Sequence, residues 1–200
     1  MADRVLLEGL LVDLVPMGDS YKQKDHVWQN SIGSYFWHMG EYIIVTKSQL
    51  ERRYEHRREQ SERDRHRVHF GIQTKDGKLI GRFGYAWLDL SNRLGILTAL
   101  IGEPEYWGGG YGTDALLLAV QYGFDWLDLH KVFLMTMQVN ARVLRQMEKV
   151  GFMRETQVRE ATWVDGEWVD AVTFGMLREE WPGRAALVEK LGLQAKAGGH

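Results

Sequence analysis

The chain contains no cysteine, three prolines in 200 residues, and no long uninterrupted apolar run. Without cysteine there is no disulfide framework, no thiolate nucleophile and no thiolate metal site, so any chemistry must run through oxygen, nitrogen or backbone groups. No stretch approaches the roughly 18 apolar residues of a membrane span. Met1-Ala2-Asp3-Arg4, followed by a short run broken by Glu8 and Asp13, lacks the apolar core of a secretory signal. The expected location is the cytoplasm. An excess of one charge sign is missing too: 25 Lys and Arg face 27 Asp and Glu, for a net charge of −2. That balance gives no global attraction to nucleic acid or an anionic membrane.

What is present suits one globular domain. A chain of this length buries roughly 70% of the surface its unfolded form exposes, enough to hold a core without disulfides or structural metal. We assign residues 1–182 to a single domain and 183–200 to a C-terminal extension, expected to add a turn of helix from Arg184 and to be disordered over 195–200. Residues 4–16 read as a strand, followed by an aromatic-rich region from Trp28 to Ile44. The segment 49–67 lacks Gly and Pro and repeats Glu51, Glu55, Glu59 and Arg53, Arg57 at four-residue spacing, which predicts a solvated helix laced with ion pairs. Seven arginines balanced by five carboxylates make it a poor nucleic-acid arm.

From Val68 the pattern predicts three short strands joined by turns at Lys75-Asp76-Gly77 and Asn92-Arg93, an antiparallel meander. Beyond it helix and strand alternate. Residues 113–127 carry a helical apolar stripe, 131–139 read as a strand buried on both faces, and 141–150 as a short helix. Residues 152–160 and 171–176 read as strands, and Val164-Asp165-Gly166 as a hairpin turn flanked by Trp163 and Trp168, exposed for contact with a partner chain. The fold class is therefore α/β (α+β), a mixed, mostly antiparallel sheet flanked by helices.

The chemistry concentrates in Glu103-Pro104-Glu105-Tyr106-Trp107-Gly108-Gly109-Gly110-Tyr111-Gly112-Thr113, between an apolar strand and an amphipathic helix. Glycines let the backbone approach a ligand closely, and the helix N-terminus adds partial positive charge, so the stretch reads as a phosphate cradle or as a flexible surface turn. No lysine follows for a Walker loop, and the spacing does not fit a dinucleotide fingerprint. Further on, Asn140 opens a helix whose apolar stripe is Val143, Leu144, Met147 and Val150, and Gly151 closes it. Asn140 is readable as a helix cap or as a ligand contact.

Together, Pro104-Glu105-Tyr106-Trp107-Gly108-x-Gly110-Tyr111-Gly112-Thr113-x-Ala115 and Asn140 with Glu148-Lys149-x-Gly151-Phe152 resemble the signature of the GNAT superfamily of acyl-CoA-dependent N-acetyltransferases. The likeness is to its ribosomal-protein N-terminal acetyltransferase and spermidine acetyltransferase branch. Leu127 to Lys131 and the tail Asp170…Glu180-Trp181 are similar to that branch as well. The resemblance implies central strands that splay apart, with acetyl-CoA in the V between Leu94–Gly102 and Lys131–Val139. It further implies a cofactor site of Leu100, Ile101, Gly102, Trp107, Gly108, Gly109, Gly110, Tyr111, Gly112, Thr113, Asn140 and Lys149. The implied reaction is direct acetyl transfer to a primary amine (a protein N-terminus, a polyamine or another small molecule) in a ternary complex, with backbone N–H groups polarising the thioester carbonyl. Chains of this type are often homodimers, and no metal is implied.

Two departures qualify the expectation. The family often places Tyr seven residues after this Asn, or Ser three after it, to donate a proton to the leaving CoA thiolate; here those positions are Met147 and Val143. A CoA-binding regulatory or interaction module without efficient turnover is therefore the competing reading. The general base is also unassigned, since the strand 94–101 carries no carboxylate; Glu41 and Asp89 are the candidates, each equally readable as an ordinary surface acid. Trp28, Trp37 and Trp87 are candidate walls of an acceptor pocket or core residues. His66-x-x-His69, with His56 nearby, straddles a helix end and a strand start, so no metal site is expected.

Overall fold

The first apolar segment does not run as one strand. It splits into β1 (Leu7–Glu8) and β2 (Val12–Pro16), paired antiparallel. The cause lies about a hundred residues away: the buried Asp114 Oδ2 accepts the N–H groups of Leu10, Leu11 and Val12 at 2.7, 2.7 and 3.2 Å, holding the chain in a turn. The computed structural model describes residues 7–41, 43–61 and 66–195. The aromatic-rich region supplies two helices, α1 (Asp19–Gln29) and α2 (Ile32–Trp37), and the charged segment forms α3 (Lys47–Ser61). The part of the predicted helix at 62–65 lies outside the described residues, as does the predicted disorder from residue 196.

The meander follows as β3 (Val68–Thr74), β4 (Leu79–Asp89) and β5 (Leu94–Ile101). Next come α4 (Tyr111–Gln121), extended by a π turn over Tyr122–Trp126, then β6 (Lys131–Met137), α5 (Ala141–Val150), β7 (Met153–Val164), β8 (Glu167–Leu177) and α6 (Arg184–Leu191). The β7–β8 hairpin is longer than the sequence suggested. Asp165 and Gly166 both take positive φ, the geometry that suits a tight hairpin, so pairing runs up to Val164 and Glu167. Trp163 and Trp168, 55% and 60% exposed, meet edge to face at its tip.

Among the described residues the strands form one sheet in the order β1-β2-β3-β4-β5-β6-β8-β7, and all neighbours are antiparallel except β5 and β6. These two pair in parallel at Leu94–Lys131, Gly95–Val132 and Ile96–Phe133, then part. A bulge in β4 between Tyr85 and Trp87 bends the neighbouring ladder. Helices cover both faces. Trp28 and Tyr21 of α1 pack on Leu100, and Tyr35 of α2 packs with Met137, while α4 buries Ala115 to Val120 in the main core on the other face with α5 and α6. The expectation that β6 is buried on both faces needs correction. Met135 is 54% exposed, because beyond Phe133 its face looks into the opening between the strands rather than onto a helix.

The predicted C-terminal extension packs closely. Leu187 of α6 is buried in the main core, and Arg184 Nη2 meets Asp114 Oδ1 at 2.8 Å. Asp114 thus ties three backbone amides, the first turn of α4 and the C-terminal helix together, at the end of a helix dipole that favours negative charge.

Candidate active site

Where β5 and β6 part, a cleft opens. One portion, about 420 Å³, is lined by the glycine turn, Ile101, Tyr106, Trp107, Thr113 and the α5 residues Arg142, Arg145, Gln146 and Lys149. A second, about 290 Å³, runs between the strands and is lined by Ile96 to Ile101 of β5, Leu134 to Thr136 of β6, Asn140, Val143 and Met147, and by Phe36 and Met39 from the α2 end. The two share Phe83, Ala99, Ile101, Arg142, Val143 and Gln146, so they are one continuous space. It passes from the α4–α5 side of the sheet to the α2 side. A ligand entering from one face can therefore meet a ligand entering from the other.

The glycine turn earns its composition. Gly108, Gly109 and Gly110 have φ of 90°, 53° and 89°, a left-handed run that side-chain-bearing residues adopt only with strain. A Cβ on Gly110 would also press to 3.0 Å from Leu11 and Leu193. The turn delivers the chain into α4, where the amides of Thr113 and Asp114 bond back to the Gly110 carbonyl and those of Tyr111 and Gly112 precede any intrahelical acceptor. At the other end, Glu103 Oε1 accepts from Lys24 Nζ at 2.6 Å and Trp28 Nε1 at 3.2 Å, anchoring the turn to α1. The hydrogen bond from Lys24 holds the Glu103 carboxyl below its usual range, helped by that from Trp28.

Opposite the turn stands a cationic wall. Arg142, Arg145 and Lys149 sit on successive turns of α5, and the Arg142 guanidinium lies 4.3 Å from the centre of the Trp107 ring, while the Trp107 indole N–H donates to the Ile101 carbonyl at 2.8 Å. Burial lowers the Arg142 pKa, but a guanidinium remains charged at neutral pH. Open amides at a helix N-terminus, glycines that admit close approach, and cations facing them fit a pyrophosphate-bearing group such as that of CoA.

Most residues implied for cofactor contact line this space: Ile101, Trp107, Gly108, Gly109, Gly110, Gly112, Thr113 and Lys149 in the wider part, Leu100 and Asn140 in the narrower. Two are not in the lining. Gly102 donates its N–H to Ile80 and faces the Trp28 indole, where a Cβ would come within 2.1 Å; the Tyr111 ring packs edge to face on the lining residue Tyr106 at 4.9 Å, which leaves its backbone amide at the start of α4 as its contribution. Asn140 does act as the α5 cap, accepting from the Val143 amide at 3.5 Å, and its Nδ2 donates to Thr136 Oγ1 at 3.1 Å. Val143 and Met147 line the narrow part where the expected hydroxyls are missing.

Neither base candidate lies in the cleft. Asp89 sits at the β4–β5 turn, where hydrogen bonds from the Asn92 side chain and amide hold its carboxyl below the usual range; such a carboxylate is a weakened base. Glu41 is exposed and lines a separate cavity with Tyr35 and Ile44. Of the tryptophans, Trp28 is buried behind Gly102 and Trp87 lies on β4 outside the lining, while the Trp37 side chain lies outside the described residues. Phe36 and Met39 take the place expected of them. Arg142 and Arg145 went unassigned in the sequence; their signal was spacing, since 142, 145, 146 and 149 share one helix face across from the glycines. His66 bonds the Leu88 carbonyl through Nδ1 at 2.8 Å, and among the described residues no group of three or more His, Asp or Glu gathers as for a metal.

The comparisons with known proteins agree with this geometry. The profile of the acetyltransferase (GNAT) domain family matches residues 4–153. The chain is 31% identical over 123 residues to the SPbeta prophage-derived uncharacterized N-acetyltransferase YokL of Bacillus subtilis, spanning 62% of this chain and 68% of that one. It is 29% identical over 82 residues to the spermidine N(1)-acetyltransferase of Escherichia coli K12, spanning 41% and 44%; such alignments reach roughly half to two thirds of the relatives' length. The crystal structure of spermidine N-acetyltransferase from Vibrio cholerae in complex with CoA and spermine superposes with a TM-score of 0.76 at 20% identity, over 85% of this chain and 97% of that one, a likeness of fold. With the family profile matched over three quarters of its length and a cleft between its splayed strands, the chain belongs to the GNAT family of acetyltransferases.

Proposed function

We propose that this chain transfers an acetyl group from acetyl-CoA to a primary amine by direct attack within one ternary complex. The observation that carries the reading is the continuous cleft through the sheet, with a phosphate cradle at one end and an opening past Phe36 and Met39 at the other. Acetyl-CoA supplies the activated acyl group. The glycine-turn amides, Arg142 and Lys149 would hold its phosphates, and the β5 edge freed where β6 departs would offer backbone groups to the arm and to the thioester carbonyl. The acceptor amine would reach the acyl carbon from the α2 side. Among the described residues lining the cleft there is neither a carboxylate nor an imidazole, so the amine's proton leaves through water.

Saturating acetyl-CoA, at a hundred times its Kd, is expected to stabilise the fold by about 2.7 kcal/mol and to raise the thermal midpoint by roughly 5–10 °C, with no rise for ATP or NAD. Release of CoA thiol that climbs with added amine then separates an enzyme from a binding module. No midpoint shift with acetyl-CoA would overturn the proposal at its root.

A homodimer belongs to the same proposal. The outer face of β7, the sheet's edge strand, is exposed along most of its length, and Trp163 and Trp168 project at its end, an apolar patch suited to a second copy of the chain. Light scattering should give twice the chain mass of 23.2 kDa, falling to one chain when both tryptophans become serine.

A further inference from the structure

The family's usual hydroxyl positions are filled by Val143 and Met147, yet the cleft does contain a hydroxyl. Thr136 lies on β6 just beyond the point where β5 departs, lines the narrow part of the cleft, and is 5% exposed. Leu134, two residues earlier and so on the same strand face, packs into the core shared with α4 and α5, which places Thr136 on the cofactor side of the sheet. The polarity of its hydrogen bond matters. Asn140 Nδ2 donates to Thr136 Oγ1 at 3.1 Å, so the threonine acts as acceptor there and its own proton must point elsewhere. Among the described residues that proton has no acceptor. A buried donor without a partner costs free energy unless a ligand supplies one.

We propose that Thr136, oriented by Asn140, is the hydrogen-bond donor to the sulfur of CoA as the thiolate departs; this rests on the acetyl-transfer reading above. In the step, the amine nitrogen forms a bond to the acyl carbon, the carbon–sulfur bond breaks with its electron pair moving to sulfur, and the amine's proton passes to water. Thr136 keeps its own proton throughout, because an alcohol is far less acidic than a thiol, and its O–H dipole stabilises charge on sulfur. Asn140 is then a positioning residue as well as a cap: its amide fixes which way the Thr136 hydroxyl can turn.

The test uses CoA itself on the whole protein. The thiol of bound CoA, followed by the ultraviolet absorbance of its thiolate, should titrate about one pH unit lower in wild type than in Thr136→Val, with Thr136→Ser close to wild type. Turnover should fall about 10-fold in Thr136→Val, with little change in the KM for acetyl-CoA. Desulfo-CoA, which has no sulfur, should bind both proteins equally and so report that the cleft is intact. A thiol titration unchanged in Thr136→Val would overturn the proposal, as would equal loss of affinity for CoA and desulfo-CoA, which is the mark of a packing role. Failure of wild type to bind either compound would instead overturn the acetyl-transfer reading beneath it.

Discussion

Replacing Asp114 with alanine is expected to cost about 3–5 kcal/mol, the largest loss for any single polar side chain described in this molecule. The carboxylate is fully buried and serves several partners at once: the amides of Leu10, Leu11 and Val12 on one oxygen and the Arg184 guanidinium on the other. Its removal leaves buried amide donors unsatisfied, a partly buried guanidinium unpaired and the first turn of α4 without its negative charge. For a chain of this size the thermal midpoint should fall by roughly 10 °C or more. Arg184→Met is expected to lose less, since the carboxylate keeps its three amides and the helix dipole. Urea unfolding of the two variants checks the order; a larger loss for Arg184→Met would show that the ion pair, and not the amide turn, carries the stability.

The second large effect is expected on cofactor affinity. Arg142 stands at the junction of the wide and narrow parts of the cleft, its guanidinium 4.3 Å over the centre of the Trp107 ring, whose indole is itself fixed to the Ile101 carbonyl. Alanine at 142 removes a charge-assisted partner for phosphate and leaves the Trp107 ring without its cover. Acetyl-CoA should bind about 10–100-fold more weakly by calorimetry, equivalent to about 1.4–2.8 kcal/mol. Arg142→Lys should recover part of this, because an ammonium keeps the charge without the forked donors of a guanidinium. Unchanged affinity in Arg142→Ala would mean that the side chain does no more than pack on Trp107.

How much of this was legible in the sequence depended on whether the cause was local. The meander, α5 with its Asn140 cap and Gly151 stop, and the glycine turn all follow from residues within a few positions of one another, and they stand where periodicity and turn chemistry put them. The splitting of the first strand was not legible, since its cause is a carboxylate on α4 whose reach to residues 10–12 exists only after folding. The double role of Asn140 was half legible. Capping is a short-range property, whereas the bond to Thr136 depends on how β6 enters α5. Gly102 misled for a related reason: it adjoins the motif in sequence, but strand alternation turns it toward α1. The exposure of Met135 reflects the opening of the sheet, a property of two strands rather than of one.

The docking of α6 has a practical side. Leu191 and Leu193 form part of the wall against the glycine turn, so the end of α6 and the residues just after it border the cofactor's expected berth. Cloning boundaries drawn from the matched family segment, residues 4–153, would discard β7 and β8, the two strands that complete the sheet beyond β6, together with this wall. Even a stop after Trp181 would delete the arginine that Asp114 holds.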